Sequence, residues 1–225
     1  MNVTINTHRS IIVLISVVAI LMFFNTYTST WICDDIYWNI HAREASMPSA
    51  HMLLGDFAPI IADYLVINAH HYWHEGRWYL MPVVYSLIVR IQPTYIEYWS
   101  LLGWLYAFNN SVYVTDENKK NALIKEGLHA LREGLAYHFN SYNLYFDIAW
   151  TYYKKQSDLS TAIIYCEKAL AYPHPIKVER LMSISLFRLG QTKEAERVWE
   201  KYLEEHPHNS VALQELKKVK TLLSS

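Results

Sequence analysis

From residue 62 onward, small and aromatic residues recur at a nearly constant spacing, and that recurrence limits the fold more than any other feature of the chain. Ala69, Tyr72 and Gly76 precede Pro93; Gly127, Leu131 and Gly134 precede Phe139; Ala162, Cys166 and Ala169 precede Pro173; Gly190, Ala195 and Trp199 precede Pro207. Each unit has room for two helices and a turn. A helix pair of this size cannot bury its apolar face alone, so the units must stack on one another in an all-helical array. Ser210 to Leu223 then places Leu213, Leu216, Val219 and Leu223 among lysines, as a closing helix needs one apolar and one solvated face.

The stretch Trp99-x2-Leu102-Gly103-x2-Tyr106 resembles the opening signature of the tetratricopeptide repeat, a motif of about 34 residues in which small side chains let two antiparallel helices approach closely. Taken with the recurrences above, the resemblance covers residues 62 to 225. It implies an all-α, right-handed superhelical solenoid of four helix pairs with a C-terminal cap: 62–95, 96–141, 142–175, 176–209 and the cap 210–225. The second unit carries an inserted loop at 108–120, because its Gly127, Leu131, Gly134 and Phe139 come later than the motif requires. Asn68, Met81, Ile88, Phe139 and Glu179 depart from the consensus.

The resemblance also implies a concave groove lined by the first helix of each pair. In this register the groove residues include His70 and Trp73 in the first unit and Trp104 in the second. Phe146, Trp150 and Tyr153 follow in the third unit, and Ile184 and Phe187 in the fourth. Large rings dominate the centre of that stripe. The basic and amide set with which some relatives of this kind clamp a terminal carboxylate is missing, so an apolar helix or extended segment is the expected guest. Residues 36–59 of the same chain are apolar enough to fill the groove instead, and that alternative stays open.

Ahead of the repeats, no residue from Ser10 to Cys33 is charged, and Ile11 to Phe24 is apolar except for Ser16. At 1.5 Å per residue, 20 to 24 helical residues cover roughly 30 to 36 Å, the thickness of a bilayer core. No A-x-A cleavage pattern follows, so residues 1–33 read as an uncleaved transmembrane signal-anchor in contact with lipid through 10–32, and 34–61 as a membrane-proximal stalk. Arg9 before the segment and Asp34 and Asp35 after it favour a repeat domain outside the cytoplasmic membrane. Residues 1 to 112 hold only 11 of the 41 charged side chains and six of the eight tryptophans, so this half is the one expected to face membrane or partner.

Chemistry is sparse. A net charge of −1 leaves no basic surplus for nucleic acid, and Cys33 and Cys166 stand too far apart in sequence for a CxxC or a zinc cage. No phosphate-binding loop or nucleophile elbow occurs. His70, His71 and His74 form the densest group of potential ligands, with one helical turn between His70 and His74, but no third ligand is identifiable. The sequence therefore reads as a membrane-anchored adaptor without catalytic residue, metal or cofactor: an assembly factor or accessory subunit of an envelope complex that binds protein partners, membrane proteins among them. The alternative is a metal-binding protein or enzyme built on the histidine cluster.

Overall fold

The computed structural model describes Ser16 and residues 54–223, and every regular element discussed below is helical. Contacts divide the chain between Pro48 and Ser49, and those elements all belong to the second unit. The stalk expected over 34–61 therefore ends early: a 3-10 turn at Gly55–Phe57 leads directly into the first repeat helix, which starts at Ala58 with Pro59 in its first turn. Proline suits that place because its missing N–H would have no helical partner there. Among the described residues no helix is long and apolar enough to cross a membrane. The anchor expected within 1–33, and residues 36–53 of the alternative groove filling, lie outside the described residues.

Helices alternate in antiparallel-pair order: α1 Ala58–His74 with α2 Met81–Ile91, α3 Ile96–Trp104 with α4 Glu117–Tyr137, α5 Tyr142–Thr151 with α6 Leu159–Leu170, and α7 Lys177–Arg188 with α8 Thr192–Glu205. The closing helix α9 spans Ser210–Leu223. Each helix packs on the next, and α3 also touches α5 across the intervening helix, the contact pattern of a solenoid. Caps set the starts. Asp116 accepts from the backbone N–H of Asn118 at 2.8 Å, Asp158 from Thr161 at 3.0 Å, and Asn209 from Ala212 at 3.1 Å. Gly76 and Gly190, at φ +74° and +77°, close the turns within the first and fourth pairs.

The core follows the small residues. Ala58, Ala62, Ala69, Ala107, Ala149, Ala162, Ala169 and Ala195 are fully buried, so helix backbones approach where these side chains meet. α3 and α4 cross closely, Gly127 leaving room for the Gly103 carbonyl and Ala107, and Gly103 for the Leu131 side chain. Trp99 is buried with its indole N–H donating to the Pro93 carbonyl at 2.8 Å, which ties the start of one pair to the end of the previous one. Trp199 repeats the device in α8, donating to the Ser183 hydroxyl at 2.8 Å.

The insertion expected as a loop over 108–120 is mostly helix. After Trp104 the chain makes a π turn at Leu105–Asn109 and a 3-10 turn at Asn110–Tyr113, and α4 begins at Glu117, leaving only Val114–Asp116 between them. The extra residues are absorbed by lengthening both helices of the pair, which keeps backbone groups bonded where a loop would leave them to solvent. A second π turn, Tyr152–Gln156, follows α5 and accounts for the single extra residue of the third pair; it ends at Ser157 with φ 53°.

Candidate functional site

The side chains facing inward from α3 and α5 enclose a cleft of about 430 Å³, a size ordinary for a binding pocket. Ile96, Glu97, Ser100, Leu101 and Trp104 line it from α3, and Phe108 from the π turn that follows. Asn143, Asp147, Trp150 and Thr151 line it from α5, while Leu131 of α4 forms the floor. Trp104 is 45% exposed, whereas Trp99 on the same helix is buried. Burial of a ring that size offers roughly 2 kcal/mol, so a half-exposed tryptophan in a concavity is surface a partner can use.

Of the eight residues expected to line one groove, Phe146, Trp150 and Tyr153 stack in a continuous row on α5 and the turn that follows it. Trp104 and Trp150 share the cleft. Phe146 lies beside it, stacked on Trp150 with ring centroids 6.3 Å apart. Ile184 and Phe187 are exposed on α7, and His70 and Trp73 are exposed on α1, all four outside the lining of the cleft. Tyr153 stacks on Trp150 with ring centroids 5.7 Å apart, but it is only 8% exposed because its other side packs with Ala149, Ala162 and Cys166 in the core of the third pair. The π turn that begins at Tyr152 is the cause. An i→i+5 turn delays the helical rotation, so a residue that would continue the concave stripe of an α-helix is carried towards the core. Ala107 is buried at the equivalent place after α3 for the same reason.

Cations of the chain itself border the aromatic stripe. The Lys177 ammonium lies 4.4 Å from the centre of the Phe146 ring, Lys154 lies 4.9 Å from that of Trp150, and Lys155 lies 4.8 Å from that of Phe108. The Arg188 guanidinium stands 4.8 Å over Tyr153. Such contacts fix rings and stems together.

Asp147 is the functional candidate that sequence reasoning missed. It is half-buried in the cleft wall, and burial pushes its carboxyl above the usual range, against the opposing pull of a hydrogen bond from Ser100 and the charge of Lys177. One signal was available: Asp147 is the only acid between Tyr142 and Gln156 and stands three residues before Trp150, on the same helical face.

The histidine cluster has a local explanation. His70 and His74 rings pack at 4.8 Å, and His71 pairs with Glu75 at 2.9 Å on the exposed side of α1. A hydrogen bond from Arg77 foremost, with His71 contributing, holds the Glu75 carboxyl below its ordinary range. Among the described residues no three His, Cys, Asp or Glu side chains converge as metal ligands. Cys166 is a free, fully buried thiol whose pKa burial pushes up to about 12.

The fold is a tetratricopeptide-like helical solenoid. It matches the crystal structure of TTC0263, a thermophilic TPR protein of Thermus thermophilus, with a TM-score of 0.54 over 71% of this chain and 81% of that one, at 15% identity. It also matches the crystal structure of MamA protein, with a TM-score of 0.52 over 70% of this chain and 80% of that one, at 14% identity. No family model and no curated protein matches the sequence. At these identities the likeness concerns the fold.

Proposed function

We propose that this chain is a membrane-tethered, non-enzymatic adaptor that docks a segment of a partner protein in the cleft between α3 and α5. The observation that supports this most is the pairing of Trp104 and Trp150 across one concavity, with Phe108 beside them and Trp104 left 45% exposed. Aromatic side chains in a desolvated pocket are the usual centres of binding energy at protein interfaces. A solenoid supplies them on a rigid support, so little ordering entropy is spent on the adaptor's side.

The tether rests on the uncharged run from Ser10 to Cys33, and the orientation on Arg9 before it and Asp34 and Asp35 after it. Confinement to a membrane raises the effective concentration of neighbouring membrane proteins, so a modest cleft suffices for stable association. The role we assign is that of an assembly factor or accessory subunit in an envelope complex.

The docking reading is tested by co-purification from native membranes. Trp104→Ala together with Trp150→Ala should lose a partner retained by the unaltered protein, with helical content preserved; retention of every co-purifying protein would refute it. The tether is tested separately by washing membranes with high salt, which releases proteins held by charge and leaves those held by about 20 uncharged residues. Release into the supernatant would refute the tether and leave the docking reading intact.

A further inference from the structure

We propose that the solenoid edge formed by the turns between successive helix pairs rests on the membrane surface, with Tyr95, Tyr137 and Phe139 in the layer of lipid head groups. This inference rests on the tether proposed above and adds the side on which the repeat domain meets the bilayer.

Three turns make that edge, and side-chain contacts hold them together. The His138 ring nitrogen Nε2 lies 3.1 Å from the Pro93 carbonyl, which brings the turn after α4 against the turn after α2. The Tyr145 hydroxyl donates to the Phe139 carbonyl at 3.1 Å, and the Tyr145 ring stacks on Tyr172 of the turn after α6, centroids 6.0 Å apart. The joining residues 92–95, 138–141 and 171–176 include no Asp, Glu, Lys or Arg. Their rings are open to solvent: Phe139, one of the departures from the consensus, is 69% exposed, and Tyr137 and Tyr95 are 51% and 49% exposed. Tyr137 and Tyr95 are each backed by another ring, Trp99 at 5.7 Å and Tyr98 at 5.4 Å, so they stand on a firm support.

The opposite edge, made by the turns inside the pairs, is charged. It carries Glu75 and Arg77 in the first pair, Asp116 in the second, and Lys154, Lys155 and Asp158 in the third. Val112 and Tyr113 are exposed there as well, but Lys155 donates to the Ser111 hydroxyl at 3.3 Å and keeps a cation beside them.

The course of the chain favours lipid as the cover of the uncharged edge. Each pair is antiparallel, so α1 begins at the end where α2 finishes. The uncharged run from Ser10 to Cys33 therefore joins the solenoid at this edge, through residues 34–57. A linker of that length does not orient the solenoid by itself; the contrast between its two edges does. Exposed rings beside small polar groups such as Thr94 and Asn140 match the boundary between bilayer and water, where amphipathic aromatic side chains collect. Asp56 and Glu97 flank the edge, so the contact stops at the head groups, where charge stays hydrated. With no basic cluster on it, the edge is held by apolar transfer and not by anionic lipid.

The test uses full-length protein with Cys33→Ser in phosphatidylcholine vesicles, labelled with an environment-sensitive fluorophore at Asn140→Cys on this edge or Gln156→Cys on the other. Both positions are exposed, while Cys166 is fully buried and stays unlabelled. Lipid spin-labelled at its head group should quench the Asn140 probe about twofold or more beyond the Gln156 probe, since interfacial contacts sink apolar groups about 5 to 10 Å into the boundary layer. Aqueous iodide should quench the Gln156 probe more strongly. High salt and added anionic lipid should leave this pattern unchanged. Tyr95→Asp with Phe139→Asp should bring the Asn140 probe to the level of the Gln156 probe while circular dichroism stays the same, because both rings are about half exposed or more.

Equal lipid quenching of the two probes, or stronger quenching at Gln156, overturns the inference; if the protein still floats with the vesicles in high salt, the tether stands alone. Lipid quenching that survives the two Asp changes, or that disappears in high salt, overturns it too. An Asn140 probe shielded from iodide but not reached by the lipid would assign the edge to a protein contact instead. Protein that does not float with the vesicles removes the tether and the inference together.

Discussion

Gly127→Ala adds one methyl group where α4 crosses α3, and the structure gives it no room. The new Cβ would lie 2.6 Å from the Gly103 carbonyl oxygen, 2.8 Å from Ala107 Cβ and 3.0 Å from the Ala107 backbone nitrogen. Comfortable carbon–oxygen and carbon–carbon contacts are about 3.3 to 4.0 Å. None of these neighbours is the end of a flexible side chain, so no rotamer change relieves the clash and the helices must separate by most of an ångström. Overpacking of this kind costs about 1 to 3 kcal/mol, with the rigid surroundings placing it at the upper end. Alanine returns about 1 kcal/mol through its better helix propensity. The net loss is about 2 kcal/mol, or a fall in melting temperature of about 4 to 8 °C for an ordered domain of this size. Thermal unfolding followed by circular dichroism reads it directly. A melting temperature that holds or rises would refute the tight crossing, because propensity alone would then be acting. The neighbouring pair gives an independent check: a Cβ on Gly103 would lie 2.5 Å from Leu131 Cγ, so Gly103→Ala combined with Leu131→Ala should cost less than the sum of the two single changes.

Three further outcomes follow from buried polar and ionisable groups. Because burial raises the Asp147 carboxyl, the folded protein holds that proton more tightly than the unfolded chain, so its contribution to stability declines as pH rises from the ordinary carboxylate range through the raised value. Asp147→Asn should therefore be more stable than the unaltered protein at neutral pH, with the gap closing in acid; a gap that widens in acid would contradict this sign. His174 pairs with the buried Glu179 at 2.7 Å, and the other Glu179 oxygen has no partner. His174→Ala should cost about 1 to 3 kcal/mol in urea unfolding, the range for leaving a buried polar group unsatisfied, and His174→Ala with Glu179→Gln clearly less; equal losses would show that the His174–Glu179 contact is not responsible. Cys166, with its thiol pushed up to about 12 and fully buried, should react with a colorimetric thiol reagent only after denaturation, and rapid labelling of the native protein would refute its packing.

The sequence by itself determined the repeating helix pairs, because small residues at helix crossings are a local requirement that spacing records. Gly103, Gly127 and Gly134 are glycines for a reason visible in any one pair: each faces a neighbour that a Cβ would meet at 2.8 Å or less. The same spacing marked Trp104 and Trp150 as concave, and both line the cleft. It carried Glu179 only as a departure from the motif; its partner, His174, lies in the preceding Pro173–Pro175 turn.

Tertiary structure decided the rest. The π turns after α3 and α5 rotate Ala107 and Tyr153 into the core, and a constant helical period cannot anticipate a local change of period. The insertion became helix because both flanking helices had neighbours to extend along. Asp147 and Glu97, half a hundred positions apart in sequence, came to line one cleft only when α5 packed against α3. Spacing along the chain reports what a helix needs from its immediate partner; which side chains line a groove together depends on the packing of helices that are not adjacent, and only the folded chain fixes that.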